Sequence, residues 1–155
     1  MDHVAIMRKS WGMTAKILSG EKTIESRWYI NKSAPWGKIR AGDTVYFKNA
    51  GEAICGMARV KGVEQFESLN PEKVRALLDK YGAEVGKSGK DIPNVFRFAA
   101  VNSAGYISVN SRLVANSSTT AIEPFGINKK GFGIMAGWIS VEDVEKIKAP
   151  RNYNL

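Results

Sequence analysis

The stretch GEKTIESRW, from Gly20 to Trp28, decides how this chain of 155 residues is interpreted. Polar and apolar residues alternate along its second half, which is the pattern of a half-buried β-strand. Because side chains on a strand point alternately to its two faces, the polar residues share one face. That face carries Thr23, Glu25 and Arg27, and the opposite face carries Ile24 and Trp28.

Two interpretations of this polar face are open. On an exposed strand face, Thr, Glu and Arg are ordinary residues with no special role. In the second interpretation Glu25 is buried and held by Arg27 or Lys22, because a buried carboxylate must be paired or hydrogen-bonded. Glu25 and Arg27 would lie ~7 Å apart along the strand, close enough to share a hydrogen-bond network. Lys22 would swing across the mouth of a cleft, and Thr23 would add a hydroxyl.

The composition is that of one soluble globular domain spanning residues 1–155. Hydrophobic residues make up 44% of the chain and charged residues 25%, as in ordinary globular proteins. The sequence has no apolar run long enough to span a membrane and no recognisable signal peptide, so we expect a cytoplasmic protein without a membrane partner. The single cysteine, Cys55, excludes an intrachain disulfide and agrees with a reducing compartment.

One histidine and one cysteine also restrict the chemistry. They are too few for a structural zinc site of the usual type, and we expect neither a metal nor a cofactor. His3 lies close to the N-terminus, where chains are often mobile, so we do not expect a histidine-dependent catalytic triad. Any catalysis would depend on Lys, Glu, Asp, Thr, Ser or Tyr side chains.

The positive charge is concentrated in the first part of the chain. The net charge is +8, and the isoelectric point is about 9.6. Residues 1–61 contain 11 Lys and Arg against 5 Asp and Glu, whereas residues 62–155 contain 12 against 10. A basic half-chain favours a polyanionic partner, of which nucleic acid is the commonest. The alternative is a surface that is charged only for solubility.

The remaining pattern predicts many short strands and about three short helices. Strands are expected at residues 4–7, 22–30, 44–49, 52–66, 95–101, 106–114, 120–125 and 134–139. Gly56 and Gly62 interrupt one of them and predict bulges or bends there. With no internal repeat and no linker, the pattern favours an α+β fold in which a small mixed β-barrel is flanked by the helices.

Capping residues predict where two of the helices begin. Ser10 is expected to cap a first helix that runs to about Leu18, with Gly20 as its left-handed stop. Asn70 as cap and Pro71 in the first turn predict a second helix that runs to about residue 81.

The C-terminal part is predicted to close the domain with a third helix at residues 140–147. Ser140 and Asp143 stand near capping-box spacing at its start. Residues 82–93 are expected to form a mobile loop, and residues 127–133 a basic loop punctuated by glycine.

The residues around Glu25 resemble a known family. The motif G-x-K-T-I-E-x-R-W, followed by a basic loop and by x-G-D-x-V-x-F, is similar to the ASCH family, whose fold is PUA-like. The matching positions are Gly20, Lys22, Thr23, Ile24, Glu25, Arg27 and Trp28, then Gly42, Asp43, Val45 and Phe47. Residues 123–139 resemble the last loop and closing strand of the family. Residues 67–118 match poorly, which indicates an insertion within that region.

The resemblance implies a β-barrel with a cleft beside the first helix, and it implies RNA or a nucleoside as ligand. A link to translation or RNA modification is also implied. Some family members are amidohydrolases that deacetylate N4-acetylcytidine with a Lys, a Thr three residues later and a distant Glu. Lys22 matches that Lys, but the residue three later is Glu25, and Thr23 stands directly beside Lys22. Glu84 is the nearest candidate for the distant Glu.

Three functions therefore stay open. The first is an RNA- or nucleoside-binding domain, with no catalytic role required. The second is a hydrolase without a metal, acting on N4-acetylcytidine or on single-stranded RNA, with Lys22, Glu25 and Thr23 as its catalytic residues. The third is a protein-interaction module whose basic face contacts an acidic protein.

Further binding residues are predicted from charge and aromatic character. Basic side chains attract phosphates, and exposed aromatic rings stack on unpaired bases. Trp11 and Trp36, in turn-like contexts, are the predicted platforms, whereas Trp28 is predicted to lie in the core. The full predicted binding set is Arg27, Trp11, Arg8, Trp36, Lys48, Lys129 and Lys130. The alternative is a place in the core for the tryptophans and a solvated hairpin for the last two lysines.

Overall fold

The computed structural model describes residues 1–29, 31–86 and 109–150. The strands in these ranges are β1 (Asp2–Met7), β2 (Ile24–Tyr29), β3 (Thr44–Asn49), β4 (Ile54–Leu69), β5 (Val109–Asn116), β6 (Thr120–Phe125) and β7 (Trp138–Val141). The α-helices are α1 (Met13–Leu18) and α2 (Pro71–Tyr81), and two short 3₁₀ helices cover Lys9–Trp11 and Val144–Ile147. None of the helices in the described ranges is long and apolar enough to cross a membrane.

The strands form one sheet with the long strand β4 near its centre. The strand order is β2-β5-β4-β3-β1-β7, and β6 also pairs with β4. The pairing of β1 with β3 is parallel, and the other pairings are antiparallel. β6 pairs with β4 at residues 54–57, and β5 pairs with it from Val60 onward. β5 and β6 therefore follow one another along the same edge of β4.

β4 is irregular at several positions, and two of them lie next to a glycine. Its register with β3 shifts between Phe47 and Lys48, opposite Gly56, and its register with β5 shifts between Val60 and Gly62. Glycine accommodates such bulges at little steric cost. The predicted irregularities at Gly56 and Gly62 are therefore confirmed.

Apolar side chains are buried on both faces of the sheet, in three clusters. The first cluster contains Ala5, Met7, Ile17, Ile39, Val45, Phe47, Ala58, Val60, Val114 and Trp138. The second contains Ile24, Leu69, Val74, Leu78 and Val85, and the third contains Val4, Ile6, Ile54, Ile127, Ile139 and Val144. Alternation along β1 puts the first and third clusters on opposite faces. The face that carries the first cluster is called the inner face below.

Helix α2 forms as its capping residues predict. The Asn70 side chain accepts a hydrogen bond from the Lys73 backbone N–H at 2.9 Å, and Pro71 occupies the first turn. Val74 and Leu78 are buried in the second cluster, one helical turn apart. The apolar stripe of α2 thereby covers the outer face of β2 and the end of β4.

Two predicted helix starts are wrong. Ser10 lies inside the 3₁₀ helix Lys9–Trp11, and Gly12, at φ 65°, separates this helix from α1. A left-handed residue interrupts a right-handed helix, so no cap at Ser10 forms. Ser140 lies in β7, and Asp143 caps the short C-terminal 3₁₀ helix by accepting from one of its backbone N–H groups at 2.9 Å.

The last strand begins later than its apolar sequence predicts. Ile134 and Met135 are 92% and 94% exposed, and β7 begins only at Trp138. The Ala136 N–H donates to the Gly133 carbonyl at 2.9 Å, which closes a turn in this segment. The prediction of a strand at residues 134–139, based on apolar character alone, therefore set its start too early.

Several predicted features lie partly or wholly outside the described residues. The strand at 95–101, the start of the strand at 106–114 and the loop residues 87–93 belong to the segment 87–108. The insertion predicted within 67–118 overlaps the same segment and stays a prediction. Residues 82–86 are described, and they form a turn in which Val85 is buried.

The α+β class is confirmed, but closure of the predicted barrel is not. β2 and β7 stand at the two ends of the strand order. The Arg27 side chain of β2 nevertheless reaches the far end of this order, since its Nη1 lies 3.5 Å from the Ile6 carbonyl on β1, the neighbour of β7. A Cβ placed on Gly137, just before β7, would lie 3.2 Å from the same Nη1. The described residues also contain two α-helices where about three helices were predicted.

We expect Asn70→Ala to lower the free energy of unfolding by about 1 kcal/mol, the usual effect of losing an N-cap. Urea denaturation followed by circular dichroism measures this change. Asn70→Asp keeps a hydrogen-bond acceptor at the same position and serves as the matched control. Its free energy of unfolding should fall by much less. Equal losses in the two variants would contradict the capping role.

Candidate functional site

The polar side chains of β2 are buried on the inner face of the sheet. Glu25 pairs in register with Val114, a member of the first cluster, so both side chains point to the same side. Glu25 and Lys22 are each 5% exposed, and the Arg27 side chain is 13% exposed. Of the two interpretations of the polar face, the buried one is therefore observed.

The apolar face of β2 is covered by α2. Ile24 belongs to the second cluster, and Trp28 packs against it together with residues of α2. The predicted place of Trp28 in a core is thereby confirmed. Because both faces of β2 are covered, its polar residues lie inside the molecule and not on its surface.

Lys22 is anchored at the corner between α1 and β2. Its Nζ donates to the Ile24 carbonyl at 2.6 Å and to the Val85 carbonyl at 2.9 Å. The same Nζ lies 3.2 Å from Glu25 Oε2. All three partners are acceptors, which suits the ammonium form of the side chain. The predicted swing of Lys22 across a cleft mouth is wrong, because these contacts hold it in the interior.

Glu25 lies between two cations, yet part of its hydrogen-bonding capacity is unused. Arg27 Nε is 3.0 Å from Glu25 Oε1, and Lys22 Nζ is 3.2 Å from Oε2. These are ion-pair distances without hydrogen-bond geometry. Among the described residues, Glu25 Oε2 and Arg27 Nε and Nη2 are buried and have no hydrogen-bond partner. Buried polar atoms are nearly always paired in folded proteins, so these three atoms mark Glu25 and Arg27 as positions where a ligand or an ordered water would complete the hydrogen bonds.

The Arg27 guanidinium is held from a second side by Trp138. Its Cζ lies 5.2 Å from the centre of the indole ring, in a cation–π contact. Trp138 is 5% exposed and belongs to the first cluster. A planar guanidinium stacked on a fixed ring presents its N–H groups in a defined direction. Arg27 is therefore oriented before any ligand binds.

Trp138 is in turn fixed by the single histidine. Trp138 Nε1 donates to His3 Nδ1 at 3.2 Å, and His3 Nε2 lies 3.1 Å from Asp43 Oδ2. Because the indole N–H can only donate, His3 Nδ1 must accept, and His3 Nε2 then carries the proton that it donates to Asp43. Ser140 Oγ is also 2.9 Å from Nδ1. The expectation of a mobile His3 is wrong, because this side chain lies in β1 and is 0% exposed.

The two other residues considered for catalysis occupy different positions. Thr23 is exposed, just before β2 begins. The Glu84 side chain is also exposed, and its backbone carbonyl accepts from the N–H groups of Thr23 and Ile24 at 2.9 Å. Glu84 therefore supports the corner of β2 through its backbone. Neither side chain joins the contacts between Lys22 and Glu25.

Each of the two tryptophans predicted to stack on bases contacts a basic side chain. Trp11 is 50% exposed, and the Arg8 guanidinium lies 5.1 Å from the centre of its ring. Trp36 is half-buried, and Lys32 Nζ lies 5.5 Å from its ring centre. Both tryptophans thus combine an aromatic face with a cation, as single-stranded nucleic acids require. Their part in binding stays a prediction.

The predicted lysines have different surroundings. Lys48 is 5% exposed and lies on β3, Lys129 is half-buried, and Lys130 is exposed. Lys129 Nζ donates to the Ile134 carbonyl at 3.3 Å. Burial and, to a smaller extent, the charge of Lys129 lower the pKa of Lys48. Lys48 and Lys129 are therefore electrostatic neighbours, although they are far apart in the sequence.

Sequence reasoning missed three residues of this site. Trp138 and His3 orient Arg27, but nothing local in the sequence links them to β2. Asn116, at the end of β5, lies two residues after Val114 and has a buried Oδ1 that no described residue contacts through a hydrogen bond. The only available signal was that the chain has a single histidine, because contacts between distant strands leave no local pattern.

The fold is similar to known structures, although the sequence is far from them. It matches the crystal structure of an ASCH protein from Zymomonas mobilis with a TM-score of 0.62 and 14% identity, covering 94% of this chain and 90% of the other. Crystal structures of two point mutants of that protein match with TM-scores of 0.60 and 16% identity; each match covers 94% of this chain, and they cover 93% and 91% of the other chains. No protein-family model and no curated protein matches the sequence. At these identities the likeness shows the fold alone.

The contacts of His3 predict that the protein is less stable in acid. Burial lowers the pKa of His3 from 6.5, despite the hydrogen bond and charge of Asp43, which act to raise it. Burial also acts to raise the pKa of Asp43, but hydrogen bonds from His3, the Arg40 N–H and the N-terminal amine lower it overall. The unfolded chain therefore binds protons more tightly. The contribution of His3 is complete above pH 6.5 and is lost as the pH falls below that value.

We expect the free energy of unfolding to fall as the pH drops below 6.5, by at most about 1.4 kcal/mol per pH unit for one proton. Urea denaturation at a series of pH values measures this slope. In His3→Gln the slope over this range should be smaller, because the titrating group is gone. An unchanged slope would show that other groups cause the acid sensitivity.

Proposed function

We propose that this chain, which has the fold of an ASCH domain, binds single-stranded RNA or a nucleoside at the site formed by Lys22, Glu25 and Arg27. One observation supports the proposal above the others. Within the described residues, Glu25 Oε2, Arg27 Nε and Arg27 Nη2 are buried without a hydrogen bond. A carboxylate acceptor stands there beside guanidinium donors; they are ion-paired with each other, and part of their hydrogen-bonding capacity is left for a ligand.

A nucleobase edge offers the complementary groups. Cytosine presents an amino donor next to ring acceptors, and guanine presents donors next to a carbonyl acceptor. Carboxylates accept from the cytosine amino group, and Arg donates to guanine acceptors. Enzymes and binding proteins that take up a single base recognise it by such hydrogen bonds along its edge. Glu25 and Arg27 together match this pattern of adjacent donor and acceptor.

The orientation of these groups favours recognition over loose electrostatic attraction. Lys22 holds Glu25 from one side, and Trp138 holds the Arg27 guanidinium from the other. Pre-oriented groups lose little freedom when a ligand binds. The basic surface and the exposed Trp11 would add phosphate contacts and base stacking for a longer strand.

Glu25→Gln should weaken binding of cytidine or of a short single-stranded RNA by at least tenfold, because a neutral amide replaces the carboxylate acceptor. Isothermal titration at low salt measures the affinity. Glu21→Gln is the matched control, since the Glu21 side chain is 61% exposed and its ion pair within the described residues is with Lys16, at 3.5 Å. The affinity of this control should equal that of the unmodified protein.

Removing one member of a buried ion pair also destabilises a protein, so each variant is first checked by urea denaturation. Arg27→Lys, which keeps the positive charge but not the planar fork, is the second variant and should also weaken binding. An unmodified protein that bound neither cytidine nor RNA at low salt would overturn the proposal. Tight binding to an acidic protein, undisturbed by RNA, would instead support a protein-interaction module.

Hydrolysis is the second candidate, and the buried contact between Lys22 and Glu25 at 3.2 Å favours it. In this function Glu25 would orient a water molecule, and Lys22 would stabilise the developing negative charge. We expect Lys22→Ala to abolish release of acetate from N4-acetylcytidine while the protein stays folded. Chromatography of the nucleoside products measures turnover. If the unmodified protein released no acetate and cut no single-stranded RNA, the hydrolase would be excluded.

A further inference from the structure

A second site lies on the outer face of the sheet, around Lys48. Val45 and Phe47 of β3 point into the first cluster, so Lys48 points to the opposite face. Its register partner on β1 is Ile6, a member of the third cluster. Lys48 is 5% exposed. The stem of Lys48 thus lies among apolar side chains, on the face away from Glu25.

Lys48 has no counter-ion in the part of the chain that the structure describes. Its Nζ makes no hydrogen bond or ion pair with a described residue, and it keeps some contact with solvent, since it is not one of the fully buried unpaired atoms. Buried lysines are rare unless they are paired, because removing an ammonium group from water is unfavourable. The neighbouring charge is a second cation, Lys129. Two cations without an anion are a poor structural arrangement but a suitable arrangement for binding an anion.

The backbone and side chain of Lys129 are both held in place by neighbouring residues. Lys129 follows Ile127 of the third cluster, so its backbone is anchored beside the apolar residues around Lys48. Its Nζ makes one hydrogen bond, to the Ile134 carbonyl at 3.3 Å, which leaves two of its three N–H groups available. Gly131, at φ 89°, turns the chain next to it. The hydrogen bond to Ile134 thus fixes the amine of Lys129 without neutralising it, and its charge acts on Lys48.

We propose that Lys48 and Lys129 form a binding site for a phosphate group. A phosphate at neutral pH carries between one and two negative charges, which two ammonium groups balance, and its oxygens accept from both. Lysine binds phosphate as a compact point charge and does not need the flat geometry that arginine requires. The phosphate could belong to a small phosphorylated molecule or to a nucleic-acid backbone. The site is separate from the one proposed for Glu25 and Arg27 and does not depend on it.

Phosphate titration of the full chain, with lysine side chains labelled at ¹³Cε, tests the proposal. At constant ionic strength, inorganic phosphate should shift the Lys48 signal in a saturable way. It should also raise the pH at which Lys48 titrates, because a bound anion favours the charged amine. If phosphate concentrations up to about 0.1 M produced no saturable shift, the affinity would be too weak for a specific site, and the proposal would be overturned.

Two variants separate the site from general surface charge. Lys48→Met places an apolar side chain of similar length among apolar residues, and it should lower the phosphate affinity at least tenfold. Lys129→Gln changes a half-buried residue and should weaken binding as well, so the test stands even if the first variant is unstable. Lys38→Met, at an exposed loop position, is the control and should leave the affinity unchanged. Unchanged phosphate binding in both Lys48→Met and Lys129→Gln would refute the proposal.

The source of the phosphate is distinguished by competition. A short single-stranded RNA that displaces inorganic phosphate from Lys48 identifies the nucleic-acid backbone as the ligand. A small sugar phosphate that displaces it when RNA does not identifies a small phosphorylated molecule. Glu25→Gln should leave phosphate binding at Lys48 intact, so failure of the base-binding proposal and failure of this one are separate results.

Discussion

The burial of three charged side chains on one strand is the constraint on which this structure depends. Lys22, Glu25 and Arg27 are taken out of water together, and each charge needs partners at short range. Glu25 has a cation on either side, at 3.2 Å and 3.0 Å. The positions of the surrounding segments follow from this need, because they supply the remaining acceptors and the ring on which the guanidinium stacks.

These partners come from parts of the chain that are distant in sequence. The Val85 carbonyl that accepts from Lys22 follows α2, and the Ile6 carbonyl near Arg27 belongs to β1. Lys16 of α1 reinforces the same corner by donating to the Gly86 carbonyl at 3.0 Å. The polar cluster thus joins α1, β1, β2 and the turn after α2. Since all of these elements meet at one place, a ligand that completed the hydrogen bonds of Glu25 and Arg27 would bind at the centre of the domain.

Local sequence rules succeeded where one signal controlled the structure. The segment TVYFKN predicted β3 at residues 44–49 with its observed bounds, and Asn70 with Pro71 predicted the start of α2. The rules failed where two signals competed. At Ser10 a capping residue was followed by Gly12, whose left-handed backbone ended the 3₁₀ helix first. The apolar residues around Ile134 predicted a strand, but the turn from Gly133 to Ala136 keeps them exposed.

By itself, the sequence determined which side chains share a face of β2, because alternation along a strand is a local property. It also supplied the motif that points to the ASCH fold. Only the tertiary structure decided which face is turned inward. The apolar face of Ile24 and Trp28 is covered by α2, so the charged face meets the first cluster on the inner side of the sheet. The contact of His3 with Trp138, which orients Arg27, joins the two ends of the chain. No local pattern encodes it, because it exists only after β7 has paired with β1.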